Sequence, residues 1–209
     1  MSEELIKRIL SSIILIPIAL FFIIKGSFLF IFFILICLSA IIYEWHMMSR
    51  KKFYRIFGFI FIILSFYTIY KLRIDNDFWV LLFITIICVS TDIGGYIFGK
   101  IFKGPKLTKF SPNKTYAGMI GGYLLSIISA IILTNFYFNE DLSLKWFIFV
   151  ILISTISQLG DIIISYFKRL SKIKDTGKII PGHGGLLDRV DGMLFAFPFS
   201  YLIFLIDFL

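Results

Sequence analysis

Long apolar runs alternate with short polar segments along the whole chain. Seven such runs recur, at residues 9–24, 27–43, 53–70, 78–99, 117–137, 146–167 and 193–209. A helix rises 1.5 Å per residue, so roughly 20 residues are needed to cross a hydrocarbon core about 30 Å thick. The pattern therefore predicts an all-α polytopic membrane protein with about seven transmembrane helices. The third run is the least regular, because Arg55 has to extend toward the membrane interface.

The composition supports a membrane protein rather than a soluble one. Of the 209 residues, 59% are hydrophobic and only 16% are charged, too few to cover a soluble domain of this size. Lys7 and Arg8 precede the first run, as in a signal peptide, but no small-residue cleavage site follows Ile24 and further runs come after it. We treat residues 1–209 as one transmembrane domain. Cys37 and Cys88 both fall within apolar runs, which favours inert packing over a disulfide.

The net charge of +8 is distributed unevenly between the two sides that seven helices define. One side receives 17 Lys and Arg residues, in the N-terminus and segments 44–56, 100–116 and 168–192, and the other receives only 4. Cytoplasmic segments carry such an excess of basic residues, so we expect a cytoplasmic N-terminus and an external C-terminus. A basic inner face also suits anionic lipids and phosphorylated solutes, although topology alone explains most of these charges. We expect no nucleic-acid partner.

Asp92 and Asp161 are acidic residues that lie within the apolar runs. Asp92 and Asp161 each stand seven residues before a cytoplasmic boundary, at Gly99 and Lys168, which places them roughly 10 Å below the inner surface. A carboxylate at that depth costs several kcal/mol unless it faces a polar cavity, a cation or a partner. A protonated Asp that hydrogen-bonds to a neighbouring helix is the structural alternative for either residue alone.

The segment KIIPGHGGLLDRVDG, at 178–192, concentrates polar chemistry on the cytoplasmic side. Asp188 and Asp191 are three residues apart, so a helix that starts near Gly185 would present both on one face. Before it, the turn formed by Pro181, Gly182, Gly184 and Gly185 would let backbone N–H groups approach an anion.

Hard oxygen ligands for Mg²⁺ would then come from Asp161, Asp188 and Asp191, with substrate phosphates completing the coordination. A basic rim surrounds them, formed by Lys168, Arg169, Lys172, Lys174 and Lys178. Arg189 would face another direction and meet a phosphate. His183, taken alone, would be a loop histidine with a local hydrogen bond, but within this cluster we expect a functional role. Carboxylates, Mg²⁺ and a basic rim are typical of phosphoryl or nucleotidyl transfer.

A second cytoplasmic segment, residues 97–118, carries five lysines and three glycines. Within it, Ser111, Lys114 and Thr115 of SPNKT follow a proline turn and are suitable donors to phosphates. The stretch GGYIFGK, Gly94 to Lys100, has the spacing of a P-loop. It continues with Ile101 instead of Ser or Thr and ends an apolar helix, so we reject that interpretation.

These residues resemble the phosphatidate cytidylyltransferase family, also called CDP-diacylglycerol synthases. The family signature S-x-x-K-R-x4-K-D-x-G, then P-G-H-G-G-x-x-D-R-x-D, is met by SYFKRLSKIKDTGKIIPGHGGLLDRVD from Ser165 to Asp191. SQLGD at 157–161, TDIGGYIFGK at 91–100 and SPNKTYAG at 111–118 resemble three further family blocks. The resemblance covers roughly residues 90–205. It departs from the usual pattern at Ala117, where the family has Glu, at Gly192, where it often has Ser, and in a shorter N-terminal part.

The resemblance implies a reaction of CTP with phosphatidate that gives CDP-diacylglycerol and pyrophosphate. It also implies a homodimer, a cytoplasm-facing site in the cell (inner) membrane, and a two-cation site with Mg²⁺ and a monovalent ion such as K⁺. Residues 1–77 would then anchor and pack, and residues 78–209 would form the catalytic part with loops 100–116 and 168–192.

Residue arguments and resemblance together give the candidate site. The catalytic candidates are Asp161, Lys168, His183, Asp188, Arg189 and Asp191. The substrate-binding candidates are Asp92, Tyr96, Ser111, Lys114, Thr115, Ser165, Arg169, Lys174, Asp175, Gly184 and Gly185. The metal-ligand candidates are Asp161, Asp188 and Asp191.

Other classes of membrane protein fit less well. An ion-coupled transporter also uses intramembrane carboxylates, but the chain has no matching halves. Dolichol- and phytol-type kinases also use CTP and are distantly similar. CDP-alcohol phosphotransferases carry D-G-x2-A-R, whereas Asp191 and Gly192 are followed here by MLFAF.

Overall fold

A computed structural model describes residues 3–50, 52–108, 111, 114–138, 143–177, 179 and 184–206, with only the backbone at 3–12, 137 and 138. Each predicted apolar run lies in a helix over its described residues, except for Phe53, Tyr54 and Ile206, which lie outside the helices. The helices are α1 (Glu3–Lys25), α2 (Ser27–Met48), α3 (Arg55–Asp75), α4 (Phe78–Phe102), α5 (Tyr116–Leu133), α6 (Leu144–Leu170), α7 (Leu187–Val190) and α8 (Met193–Leu205), with a π-helical turn at Thr134–Phe138. The described residues form no sheet; an isolated antiparallel bridge joins Lys106 and Thr115.

The prediction of an all-α membrane protein is confirmed at this level. Five helices are long and apolar enough to cross a membrane: α2, α3, α4, α6 and α5 with its π-helical turn. The first and last runs lie in shorter apolar helical stretches, Ile13–Lys25 and Met193–Leu205. The number of seven spans and their orientation therefore stay predictions.

The helices expose large apolar side chains, as a lipid-facing surface requires. Phe28, Phe57 and Ile132 are 75%, 73% and 52% exposed, whereas Leu72 and Phe149 are fully buried. Buried hydroxyl groups bond back to the preceding helical turn, as when Ser65 donates to the Phe61 carbonyl and Ser200 donates to the Ala196 carbonyl. These two hydroxyl groups are thus satisfied inside the protein, which is the main requirement of a hydrocarbon environment.

The chain divides into two compact units. The first contains residues Met1–Leu82 and Phe167–Asp191, and the second contains Phe83–Tyr166 and Gly192–Leu209. The predicted division of function at residue 77 stays a prediction.

In the first unit, Trp45 of α2 is the centre of the packing. Gly58 of α3 lies so close to the Trp45 indole that a Cβ atom there would overlap the ring. The indole Nε1 donates to the Arg55 carbonyl at 3.0 Å, and the Trp45 ring meets the edges of the Tyr54 and Phe167 rings. These contacts fasten the C-terminal turn of α6 to α2 and α3. The Arg55 guanidinium, expected at the interface, bonds to His46 Nδ1 at 2.7 Å.

In the second unit, glycines bring α4 and α5 into backbone contact. A Cβ atom at Gly94 would collide with the Gly121 carbonyl, and one at Gly118 would lie 2.6 Å from the Gly95 carbonyl oxygen. Close approach of this kind is how small residues permit helix association in membranes. Gly94 to Lys100 lies wholly within α4, so rejection of a P-loop is confirmed.

This packing makes opposite predictions for two adjacent glycines. Gly94→Ala forces backbone atoms apart and should destabilise the protein by about 1–3 kcal/mol. Gly95→Ala is the matched control, because its Cβ atom would lie 3.8 Å from its nearest neighbour outside α4, the Gly118 carbonyl oxygen. It should be neutral or stabilise the helix by roughly 0.5–1 kcal/mol. Thermal unfolding in detergent measures both, and equal midpoints for the two variants would contradict the packing described.

Candidate active site

Asp188, in the short helix α7, is held by three donors from three parts of the first unit. Lys168 Nζ lies 2.9 Å from Oδ1, while the backbone N–H groups of Thr176 and Gly185 donate to Oδ2 at 2.8 and 3.1 Å. The side chain is only 5% exposed. Such a carboxylate is tolerated because a cation and two hydrogen bonds compensate its lost hydration.

Asp191 faces the same lysine. Its Oδ2 atom lies 3.7 Å from Lys168 Nζ, and its side chain is 8% exposed. The prediction that Asp188 and Asp191 share one face is therefore confirmed, because both approach a single ammonium group. Lys168 stands at the last turn of α6, where a cation also interacts favourably with the helix dipole.

The glycine turn before α7 leaves room for the Asp188 carboxylate. Gly184 has φ +89°, which disfavours other residues, and a Cβ atom there would lie 3.1 Å from Asp188 Oδ2. Gly185 is buried and gives its N–H to the same oxygen. His183, Pro181 and Gly182 lie outside the described residues.

Glu44, in α2, also belongs to this cluster, although the sequence analysis did not identify it as a candidate. Its side chain accepts hydrogen bonds from the Thr176 hydroxyl and from the backbone N–H groups of Leu186 and Leu187. The second apolar run stops at residue 43, so Glu44 looked like the first residue of a solvated loop. Continuation of the helical pattern past residue 43 was the signal that could have identified it. The helix α2 continues to Met48, and Glu44, Trp45 and Met48 are buried.

The second unit contains a separate ion pair between Lys114 and Asp161. Lys114 Nζ lies 2.6 Å from Asp161 Oδ2, and Ser165 Oγ lies 3.4 Å from Oδ1. Lys114 thus supplies a cation of the kind expected beside a carboxylate at the predicted membrane depth of Asp161. The same lysine was predicted to contact phosphate, and this ion pair holds it beside a predicted metal ligand.

The segment before α5 folds back on itself and places Lys114. Leu107 N–H donates to the Lys114 carbonyl at 2.7 Å, and Tyr116 N–H donates to the Pro105 carbonyl at 3.2 Å. Thr115 caps α5, since its hydroxyl accepts from Gly118 N–H at 3.1 Å. Ser111 lies in the same turn, where its carbonyl accepts from Lys114 N–H. The structure thus gives Thr115 a capping role, and phosphate contact stays a prediction.

Most of the remaining candidate residues are exposed on the surface of the protein. Asp92, expected to be buried, is exposed on α4, because its helical position faces away from the glycine contact at Gly94. Tyr96 is 67% exposed, and Lys100 Nζ lies 5.6 Å from its ring centroid. Arg169 donates to the Ile173 carbonyl at the end of α6. The other exposed candidates are Lys174, Asp175 and Arg189.

Gly192, one of the two departures from the family pattern, has a structural reason. A Cβ atom there would lie 2.5 Å from Ser157 Oγ and 2.8 Å from the Ser157 carbonyl oxygen. A serine at this position would have to displace α6 backbone. Ala117, the other departure, is half-buried in the first turn of α5 and has no contact that explains the change.

The Mg²⁺ prediction can be tested against the donor set. Within the described residues, no three His, Cys, Asp or Glu side chains are grouped closely enough to hold a metal ion by themselves. Mg²⁺ does not require three, since one or two carboxylates with substrate phosphates and water make its usual shell. Asp188 and Asp191 fit that requirement, because both point toward one cation, at present the Lys168 ammonium. The role of Asp161 as a third ligand stays a prediction.

Two carboxylates that converge on one lysine, in a helical protein with several helices able to cross a membrane, fit an enzyme that handles phosphorylated substrates. Comparison with known sequences gives the family: the sequence model of the cytidylyltransferase family matches residues 56–207. The chain belongs to the cytidylyltransferase family.

Three similar proteins are phosphatidate cytidylyltransferases. The phosphatidate cytidylyltransferase of Rickettsia felis is 34% identical over 213 aligned positions, covering 96% of this chain and 92% of the relative. That of Rickettsia bellii is 35% identical over 96% and 91% of the two chains. That of Staphylococcus saprophyticus is 36% identical over 172 positions, covering 78% of this chain and 65% of the relative.

The ion pair in the second unit generates a stability prediction. Lys114→Met leaves Asp161 without its cation, and Asp161→Asn leaves Lys114 without its anion. Each should destabilise the protein by about 1–2 kcal/mol, less than a fully buried pair because the side chains are 20% and 32% exposed. The double variant should be clearly more stable than the sum of the two changes predicts. Additive changes in the detergent melting temperature would argue against the pair.

Proposed function

We propose that this protein transfers the cytidylyl group of CTP to phosphatidate and releases CDP-diacylglycerol and pyrophosphate. Three observations support the proposal: membership of the cytidylyltransferase family, relatives named phosphatidate cytidylyltransferase over almost the full length, and the two carboxylates that converge on Lys168. The convergence carries most weight, because it is a property of this chain and fits a reaction between two anions.

In the reaction, a phosphate oxygen of phosphatidate bonds to the α-phosphorus of CTP. The bond from that phosphorus to the bridging oxygen breaks, and pyrophosphate leaves with the electron pair. Both reactants are anionic, so stabilisation of negative charge is the main task of the site. Lys168, whose ammonium group lies 2.9 Å from Asp188, is placed for that task at the end of α6.

Asp188 and Asp191 are the residues that would hold Mg²⁺. When bound, the ion would neutralise phosphate charge and orient the reacting groups. The backbone N–H groups of Thr176 and Gly185 fix one oxygen of Asp188, so the carboxylate keeps its orientation when the cation beside it changes. Lys168 could then turn from the carboxylates to a phosphate oxygen. The monovalent cation and the homodimer stay expectations from the resemblance.

The experiment that tests the function uses purified protein in detergent with labelled CTP and phosphatidate. Formation of CDP-diacylglycerol and pyrophosphate supports the proposal. Formation of CDP with a phosphorylated alcohol, when dolichol or phytol replaces phosphatidate, would instead assign a CTP-dependent lipid kinase. No product with any of these substrates would reject both.

The carboxylate pair makes a quantitative prediction. Asp188→Asn keeps the shape but removes a charge, and it should lower kcat/KM by roughly 100-fold or more, equivalent to about 2.7 kcal/mol at 1.36 kcal/mol per factor of ten. Asp188→Asn combined with Asp191→Asn should lose much less than the product of the two effects, because the residues act as a unit. Asp75→Asn, at an exposed pair with Lys71, is the control. Near-normal turnover of Asp188→Asn across a Mg²⁺ titration would exclude the metal site.

We further propose the orientation that the basic residues indicate, with the cluster around Asp188 on the cytoplasmic side of the cell membrane. In a background that lacks Cys37 and Cys88, Asn76→Cys and Lys174→Cys provide one reporter on each predicted side. An impermeant maleimide added to intact cells should label position 76 and leave position 174 unlabelled until the cells are broken. The reverse pattern would show that the orientation is inverted.

A further inference from the structure

Glu44 is the most completely buried carboxylate among the described residues, at 1% exposure. It lies on α2, outside residues 56–207 that the family model matches. An unpaired carboxylate in such a place would be costly, so its contacts should reveal what it does.

Within the described residues, the Glu44 carboxylate accepts its hydrogen bonds from the segments that flank the glycine turn. Oε2 accepts from the Thr176 hydroxyl at 3.1 Å and from Leu187 N–H at 2.8 Å, and Oε1 accepts from Leu186 N–H at 2.9 Å. Hydrogen bonds to a charged acceptor are about twice as strong as those between neutral groups.

These bonds alternate with those of Asp188. Thr176 gives its hydroxyl to Glu44 and its backbone N–H to Asp188. In the other segment, Gly185 N–H goes to Asp188 while the next two N–H groups go to Glu44. Each segment is therefore shared between the two carboxylates, and Glu44 determines where the Asp188 donors lie.

Two glycines lie beside Glu44, whose side chain occupies space that a Cβ atom at either position would need. A Cβ atom at Gly177 would lie 2.8 Å from Glu44 Oε1, and one at Gly185 would lie 2.6 Å from Oε2. Gly177 and Gly185 both belong to the signature between Ser165 and Asp191. At Gly185 the Thr176 hydroxyl would also overlap the Cβ atom, so the space at Gly177 is limited by Glu44 and the space at Gly185 by Glu44 together with Thr176.

We infer that Glu44 is a positioning residue of the active site. It fixes the segments around Thr176 and Gly185 so that their N–H groups hold one oxygen of Asp188 and leave the other for a cation. Without that anchor, the N–H groups of Leu186 and Leu187 would need new acceptors, and Asp188 is the nearest carboxylate in their segment. The inference rests on the proposed function for its kinetic part and on geometry alone for its structural part.

The test compares Glu44→Gln with wild type. The glutamine keeps the size but replaces one acceptor oxygen with a donor, which would face a backbone N–H. We expect kcat to fall at least tenfold and the Mg²⁺ concentration for half-maximal activity to rise several-fold. Asp75→Asn, a carboxylate-to-amide change at an exposed pair in the same unit, should change neither value. The inference would be overturned if kcat and the Mg²⁺ concentration for half-maximal activity of Glu44→Gln both lay within twofold of the wild-type values.

Hydrogen–deuterium exchange resolved to single residues gives a readout that is independent of activity. Faster exchange at Leu186 and Leu187 follows from loss of their direct acceptor. The inference requires more: the amides of Thr176 and Gly185, which bond to Asp188 and not to Glu44, should also exchange at least tenfold faster. Unchanged exchange at those two amides would show that Glu44 serves only its own partners.

A second pair of variants covers the case in which Glu44→Gln does not fold. Thr176→Val removes the hydroxyl donor and keeps the shape, whereas Thr176→Ser keeps the donor. The serine variant should retain at least threefold more activity than the valine variant and a lower half-saturating Mg²⁺ concentration. Equal values for the two would contradict the inference. If wild type forms no CDP-diacylglycerol, the proposed function fails, and the exchange measurement still decides the structural part.

Discussion

Charge compensation of buried carboxylates is the constraint on which this structure depends. A carboxylate removed from water is stable only when cations or hydrogen-bond donors replace its hydration. Asp188 has one ammonium group and two backbone donors, Asp161 has Lys114, and Glu44 has a hydroxyl and two backbone donors. Except for Gly185, these donors lie at least 12 residues from their acceptors in sequence, so most of the pairings also fix the position of a loop or a helix end.

The same constraint explains why lysines and aspartates occur together at a site for anionic substrates. Lys168 is neutralised by Asp188 and Asp191 in the absence of substrate, and no uncompensated positive charge has to be buried. If Mg²⁺ binds with the nucleotide as proposed, these two carboxylates would hold it, and the ammonium group would be available to a phosphate. Ion pairs of this kind contribute little to stability by comparison with well-packed apolar residues, and their retention in the first unit fits a functional use.

The sequence predicted those parts of the fold and site that depend on local periodicity. Helices followed from apolar runs, and the convergence of Asp188 and Asp191 followed from their spacing of three residues. Contacts between distant segments were less accessible. Nothing in the sequence near Lys114 indicates that it reaches Asp161, and burial of Asp92 was predicted from its apolar neighbours, although the face of α4 on which it lies is exposed. Periodicity identifies a helix more reliably than it identifies which face is covered, because that depends on packing partners such as Gly121 and Gly122.

Glu44 shows why a motif can be incomplete even when it is long and specific. Signature glycines are commonly interpreted as sites of unusual backbone conformation, and Gly184, with φ +89°, fits that interpretation. Gly177 and Gly185 do not have positive φ. The Glu44 carboxylate, together with the Thr176 hydroxyl at Gly185, occupies the space where a side chain would be, and Glu44 accepts hydrogen bonds from the N–H groups that follow Gly185. The geometry of the signature loop is therefore encoded partly in α2, a helix whose sequence otherwise looks like a membrane anchor.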